Sequence, residues 1–373
     1  MLLCSSALCV DLYDHAANSH EPAAVFEGGK LYQQGSLKVL ELHGSYHQMG
    51  RQYGALLKTE LNEIYENMSN ESDEVGALGN ISFPLYPQRY KEILYGMAET
   101  SGLGLDKLMI VNDLQIYLLH VQGCSAIAAW GNYTSCGPLV VGRNYDWSDK
   151  MRQYVVVAVF NPDDGSIPVA GVHYAGSIYI NTGLNRAGIF LETNGDTSES
   201  VFCTNRVTTP IQFFSFLEDC ARLDQIEGHL LSTKPTDGCI VNVADGKEAR
   251  SYEWTVYDLK PREPDQDGLL VSTNHFLDPS WGFEPPSIGA RDPIRTAERR
   301  RNLLALAELC KGRFNPQVMM QIMSIPLESG GALQTSGLPT SYQVVAVPEE
   351  LKMWVRIPGV QEWTELEMER FFA

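Results

Sequence analysis

One stretch, Gly123–Trp147 (GCSAIAAWGNYTSCGPLVVGRNYDW), constrains the fold of this chain most, because its apolar and turn residues favour one local structure. After Cys124 and Ser125 come the apolar residues Ala126–Ala129 and Trp130. A loop follows through Gly131, Asn132 and Gly137–Pro138. Leu139–Val141 then leads into Gly142-Arg143-Asn144-Tyr145-Asp146-Trp147. This spacing predicts a hairpin-like pair of strands, with Cys124 opening the first and Arg143 and Asp146 closing the second. In an antiparallel pair the start of one strand lies beside the end of the next, so a guanidinium comes near the sulfur. That neighbour favours the thiolate, the reactive form. A buried structural cysteine beside an Arg143–Asp146 ion pair is the simpler alternative, since free cysteine is among the most buried residue types. The three residues together weigh toward chemistry.

A thiol with a pKa of about 8.5 is mostly protonated at neutral pH and needs a nearby base. The α-amine of a chain start titrates near 7.7–8, so a cysteine in that position carries its own base. Arg143 would then hold the thiolate and Asp146 would orient the amine.

The same stretch resembles the N-terminal-nucleophile hydrolases of the choloylglycine hydrolase and penicillin acylase kind. There a cysteine is joined, roughly twenty positions on, to an Arg-Asn-x-Asp-aromatic motif. With 123 residues before Cys124, the chain looks most like the branch containing the fungal acyl-CoA:6-aminopenicillanic acid acyltransferase. The resemblance implies self-cleavage at Gly123–Cys124. It also implies an α+β fold: a four-layer αββα sandwich (124–373) preceded by a mainly helical lobe (1–123) that stays attached as a subunit. HGSYHQMGRQYG, from His43, resembles the amino-terminal region of that branch. GLNRAGIFLETN resembles a family strand pair whose closing asparagine, here Asn194, supplies an oxyanion donor; a turn asparagine is its alternative. Ser272-Thr273-Asn274-His275 resembles the family's Thr-Asn-His element, which makes Asn274 a site-orienting residue. The family's arginine at the head of a late helix matches Arg295, although Pro293 stands where serine is usual and the spacing is one residue short. Arg299–Arg301 read as a solvated helix face. His275 is a weaker candidate for a general base, which a chain-start nucleophile does not need.

Composition sets outer bounds. A net charge of −18 argues against nucleic acid or an anionic membrane as the main partner. The eight cysteines form no CxxC pair and no cysteine–histidine spacing of a zinc site, and His43 and His47 lack a ligating partner at useful spacing, so neither metal nor cofactor is implied. Met1–Val10 is apolar but lacks the positive start and full core of a signal peptide; as the remnant of one it leans toward export. No run is apolar enough to span a bilayer. Asn67, Asn70, Asn80 and Asn132 stand in N-x-Ser/Thr triplets.

Along the chain, 11–35 reads as an irregular lead-in, Leu37–Leu42 as a strand and Tyr46–Met68 as a helix. Gly50 and Gly54 would admit a close neighbour to that helix. Asn67–Ser82 reads as a surface loop, Pro87–Ser101 and Leu105–His120 as helices. Strands are expected at Tyr154–Phe160, Ile167–Tyr174, Ser177–Asn181, Ile189–Asn194, Cys239–Val243, Ala249–Tyr257 and Gly268–Thr273. Helices are expected near Ile211–Leu223, Asp224–Leu231 and Leu303–Cys310, a loop over the site at Trp281–Pro293, and a final hairpin at Tyr342–Val347 and Leu351–Ile357.

The expected reaction is attack of Cys124 on a linear amide of a small N-acyl compound, penicillin-like or bile-salt-like, through a thioester. Water then takes the acyl group. Alternatives are an acyltransferase using an amine acceptor, and a non-catalytic binding protein in which Gly123–Cys124 stays intact. The acyl group, the leaving amine and any homo-oligomer are not legible.

Overall fold

The hairpin around Cys124 forms: β4 (Gly123–Ala129) pairs antiparallel with β5 (Val140–Asp146). The computed structural model describes residues 21–67, 72–117, 123–197, 201–284 and 294–373, together with 286, 288 and 292. Met1–Val10 and Asn70 lie outside them.

Before β4 come β1 (Ala24–Phe26), β2 (Gly29–Gln34) and β3 (Leu37–Gly44). Five helices follow: α1 (Tyr46–Leu56), α2 (Lys58–Asn67), α3 (Ser72–Ser82), α4 (Gln88–Ser101) and α5 (Leu105–Tyr117). After β5 run β6 (Val155–Pro162), β7 (Val169–Tyr174), β8 (Thr182–Asn185) and β9 (Phe190–Gly195). Helices α6 (Thr209–Asp219) and α7 (Leu223–Ser232) precede β10 (Cys239–Ala244), β11 (Ala249–Trp254), β12 (Leu259–Arg262) and β13 (Leu269–Ser272). Then come α8 (Thr296–Leu309), α9 (Pro316–Met323), β14 (Thr340–Val347), β15 (Lys352–Ile357) and β16 (Gln361–Glu367).

The strands form two sheets, one ordered β1-β2-β3-β6-β7-β8-β9-β10-β11-β12 and the other β13-β4-β5-β14-β15-β16. Among the described strands only β3 and β6 pair in parallel. The sheets face each other. The Tyr342 hydroxyl of β14 bonds the Val172 carbonyl of β7 at 3.2 Å and Thr182 Oγ1 of β8 at 3.1 Å. On the outer side of the six-stranded sheet, Ile127 and Val140 pack with Leu303, Ala307, Met319 and Met323 of α8 and α9. On the outer side of the larger sheet, Tyr53 of α1 stacks over Phe160 with ring centres 6.4 Å apart, and Phe214 of α6 meets Phe160 at 4.9 Å. Apolar alternation along strands buried on both faces produces this four-layer αββα order.

Several expectations change. The lead-in forms β1 and β2, because Leu31 and Tyr32 find buried places in the sheet. The expected loop before Ser82 holds α3, which buries Val75 and lies against α5, where Gly79 leaves room for Asp113. Ser177–Asn181 is buried but lies outside any strand, and pairing starts at Thr182. Gly50 and Gly54 do admit a neighbour: a Cβ on either would overlap the α4 carbonyl of Ile93 or Met97. The segment ahead of β4 has the expected helices but is not a lobe set apart. Its three strands are an edge of the ten-stranded sheet, joined through β3 to β6.

Candidate active site

Register decides what surrounds the cysteine. In β4 and β5, Gly123 pairs with Asp146, Cys124 with Tyr145 and Ala126 with Arg143. Because side chains alternate, Cys124 points between the sheets while Ile127 and Ala129 point to α8 and α9. Arg143 Nη2 lies 3.5 Å from Cys124 Sγ and donates to the Thr193 carbonyl at 2.6 Å. Its Nη1 is paired with Glu192 of β9.

Asn274 follows β13. Its Oδ1 accepts the Cys124 backbone N–H at 2.8 Å and Arg299 Nη2 at 2.7 Å, while its Nδ2 donates to the Gly195 carbonyl at 2.7 Å. Thr296 Oγ1 accepts the Asn274 N–H at 2.7 Å, so the first turn of α8 fixes this asparagine. Arg299 also donates from Nη1 to the Cys124 carbonyl and stands 3.5 Å from Asp146 Oδ2. Asp146 is completed by Thr340 Oγ1 at 2.6 Å and Gln334 Nε2 at 2.7 Å. The nitrogen of Cys124 is thus held by Asn274, and Asp146 acts through Arg299 rather than on that nitrogen.

Of the residues expected in the site, Cys124, Arg143, Asp146 and Asn274 come together. Asn194 is fully buried on β9, one residue beyond the Thr193 carbonyl that Arg143 holds. Its Nδ2 donates to Ser272 Oγ at 2.8 Å, and its Oδ1 has no protein partner. Arg295 is a correction. It caps α8 with φ of 51° and pairs with Glu298 at 2.8 Å and Glu328 at 3.4 Å, turned away from the cysteine. Arg299, read from sequence as solvated, is fully buried and fills that place. A signal existed: Arg299, Leu303 and Ala307 recur every fourth residue, and the latter two are buried on the helix's inner stripe. Glu192, Gln334 and Thr340 carried no local signal.

Burial pushes the Cys124 thiol up to about 11, against the pull of Arg143. It also raises Asp146 against Arg299, and Glu192 against Arg143 and Asn242. Two arginines and two carboxylates so enclose a thiol that is protonated in the uncut chain. A Cβ at Gly123 would lie 2.8 Å from Gln334 Nε2 and 3.3 Å from Asp146 Oδ2, so any other residue there would push the Gln334 amide off Asp146. His275 is no base for the thiol: its Nδ1 contacts Thr296 Oγ1 at 2.9 Å, and burial lowers the ring to about 3. His43 rests on Glu41 at 2.8 Å, and His47 sits between Glu92 and Glu99 at 3.3 and 3.2 Å. Among the described residues no group of three or more His, Cys, Asp or Glu side chains is arranged to hold a metal ion, and no helix is long and apolar enough to cross a membrane.

With the geometry in place, the chain can be set beside known proteins. No family model matches it. Among solved structures it is similar to amide-hydrolysing enzymes of low sequence identity. The N-acylethanolamine-hydrolyzing acid amidase ortholog of Caenorhabditis elegans is 19% identical, with a TM-score of 0.47 over 65% of this chain and 100% of that one. The penicillin V acylase of Agrobacterium tumefaciens is 11% identical, with a TM-score of 0.48 over 66% and 87%. A variant of conjugated bile acid hydrolase from Clostridium perfringens is 10% identical, with a TM-score of 0.49 over 66% and 93%. Two Dictyostelium discoideum proteins are similar in sequence. Protein dcd1B is 23% identical over 172 residues, 36% of this chain and 34% of that protein. Protein dcd1A is 24% identical over 201 residues, 42% of this chain and 45% of that protein. The chain thus matches less than half the length of these curated relatives, and the reading of the site rests on its own geometry.

Proposed function

We propose that the chain is the uncut form of a self-processing cysteine amidohydrolase acting on linear amides of small N-acyl compounds. The observation that carries this reading is the double hold on Cys124. Asn274 accepts its N–H at 2.8 Å while Arg143 stands 3.5 Å from its sulfur, all inside one buried charged cluster. A buried backbone N–H needs an acceptor in any residue, but a purely structural cysteine has no use for a cation on its sulfur as well.

In the first step the sulfur attacks the Gly123 carbonyl carbon and the thiol proton passes to the departing Cys124 nitrogen. The C–N bond breaks and leaves a thioester. Water then releases the Gly123 carboxylate and restores the thiol. The new α-amine, still facing Asn274, becomes the base that draws the proton from the thiol. In the second reaction the thiolate attacks the substrate's amide carbonyl, the amine leaves with a proton, and water resolves the acyl-enzyme. Asn194, with one amide hydrogen beyond its bond to Ser272, would serve as an oxyanion donor; such donors contribute roughly 3–4 kcal/mol in dry sites. Substrates of the penicillin-like or bile-salt-like kind fit this chemistry.

Intact-mass spectrometry of the denatured protein beside Cys124→Ala tests the reading. Two fragments, the second beginning at Cys124, with one uncut chain for the variant, are expected. A full-length chain in both, under all pH conditions, would overturn it in favour of a binding protein.

A further inference from the structure

Helix α5 ends at Tyr117, six positions before Gly123. Its C-terminal half carries Asn112 and Asp113, both fully buried. Asn112 Oδ1 accepts the Ile178 N–H at 3.0 Å. The Asp113 carboxylate accepts Asn112 Nδ2 at 2.7 Å, Ser82 Oγ of α3 at 3.2 Å, the Tyr86 hydroxyl at 3.4 Å and the Tyr179 hydroxyl. The backbone of α3 presses on the same group, since a Cβ on Gly79 would lie 2.8 Å from Asp113 Oδ2.

Every one of these donors is neutral. The titratable groups facing Asp113 are Tyr86, ahead of α4, and Tyr179, ahead of β8, and burial holds both phenols far above their ordinary value. Among the described residues no lysine, arginine or histidine bonds it. Asp146 and Glu192, equally buried, each have an arginine. A buried anion with hydroxyl and amide donors alone is poorly compensated, whereas the neutral carboxyl suits such a cage.

We propose that Asp113 is a positioning residue for self-processing: its neutral carboxyl clamps α5 to α3 and to the 177–181 segment, and its anion loosens that clamp. The inference rests on the self-processing reading above. The clamp reaches the site along a short route. Ile178 leads to Asn181, whose carbonyl accepts the Thr193 N–H at 3.1 Å, and the Thr193 carbonyl holds Arg143. Burial pushes the Asp113 carboxyl up to about 6. Since this lies above the value in an unfolded chain, the stabilisation is full at low pH and is lost as pH rises through about 4 to 6.

The test separates the clamp from the cleavage. In the uncut Cys124→Ala chain, hydrogen-exchange protection of residues 105–117, corrected for intrinsic rates, should fall between pH 4.5 and 8. A loss of roughly twenty- to thirtyfold is expected over that window, out of about a hundredfold between full protonation and full ionisation. With Asp113→Asn added, neutral at every pH, protection should stay nearly flat. Equal pH dependence in both chains would overturn the proposal. With Cys124 present, cleavage of the wild-type chain relative to Asp113→Asn should fall about tenfold from pH 5 to 8, the thiol's own pH dependence being common to both. Identical cleavage profiles would also overturn it, leaving the clamp without a positioning role. Absence of cleavage at any pH would instead sink the self-processing reading, and the positioning role with it, while the exchange result still decided whether the clamp exists. Should Asp113→Asn fail to fold, Tyr179→Phe, which removes one donor, should reduce protection more at pH 8 than at pH 4.5; an equal loss at both would count against the proposal.

Discussion

The two faces of β4 are built by opposite rules. Toward α8 and α9 it presents Ile127 and Ala129 to a layer of leucine, alanine and methionine. Toward the other sheet it presents Cys124 to Arg143, which is paired with Glu192, while Arg299 of α8, beside Asp146, reaches the Cys124 carbonyl at the strand's end. The outer face tolerates exchange, because apolar contacts are nondirectional and many residues share them. The inner face does not, because each buried charge depends on one or two specific atoms. Stability and chemistry are thus divided between alternate residues of one strand.

The largest contrast should be one of reactivity. In the uncut Cys124→Ser and wild-type chains at pH 8, alkylation should label exposed Cys136 readily. Cys124 should react slower by roughly two orders of magnitude, as its raised thiol leaves about one molecule in a thousand ionised while an ordinary thiol of about 8.5 is roughly a quarter ionised at that pH. Peptide mapping after iodoacetamide, before and after any processing, checks this. Fast labelling of Cys124 in the uncut chain would erase the difference between the faces.

Next comes removal of a charge. Arg143→Ala in the Cys124→Ala background should destabilise the fold by about 3–5 kcal/mol in chemical denaturation, since Glu192 is left as a buried anion. Leu303→Ala, on the outer side, should cost about 2–5 kcal/mol by leaving a cavity, yet leave the kinetics of processing unchanged in a Cys124 chain. If Leu303→Ala slows cleavage as much as Arg143→Ala does, the division between faces fails. The smallest effect belongs to Arg295→Ala, whose ion pairs are partly exposed; a change within about 0.5 kcal/mol is expected, with cleavage intact.

The same division explains what could be read from the sequence. The hairpin of β4 and β5 was legible because alternation and turn residues are local signals, and with it the meeting of Cys124, Arg143 and Asp146. The helices around Tyr46, Gln88 and Leu105 were legible for the same reason. The short β12, with its internal proline, and α9, barely two turns long, offered too few residues for a period to show. Asn274 and Asn194 stood out through resemblance rather than spacing. Arg299 was missed because three consecutive arginines look solvated, and only the fourfold spacing to Leu303 and Ala307 separates one of them from its neighbours. Glu192 was invisible, since an acidic residue in an apolar strand declares burial only when its arginine is known to lie opposite.

Asp146 has a bearing on timing during synthesis. Two of its hydrogen bonds come from Gln334 and Thr340, which follow it by 188 and 194 residues. A ribosome adding roughly 5–20 residues per second needs on the order of ten seconds or more to supply them after Asp146 is made. Through that interval the carboxylate beside Arg299 is incomplete, and so is the wall over Gly123. On the proposed self-processing, a growing chain holds Cys124 and the Gly123–Cys124 bond before Asp146 is complete, and the cut waits until Gln334 and Thr340 have been made and have folded against it.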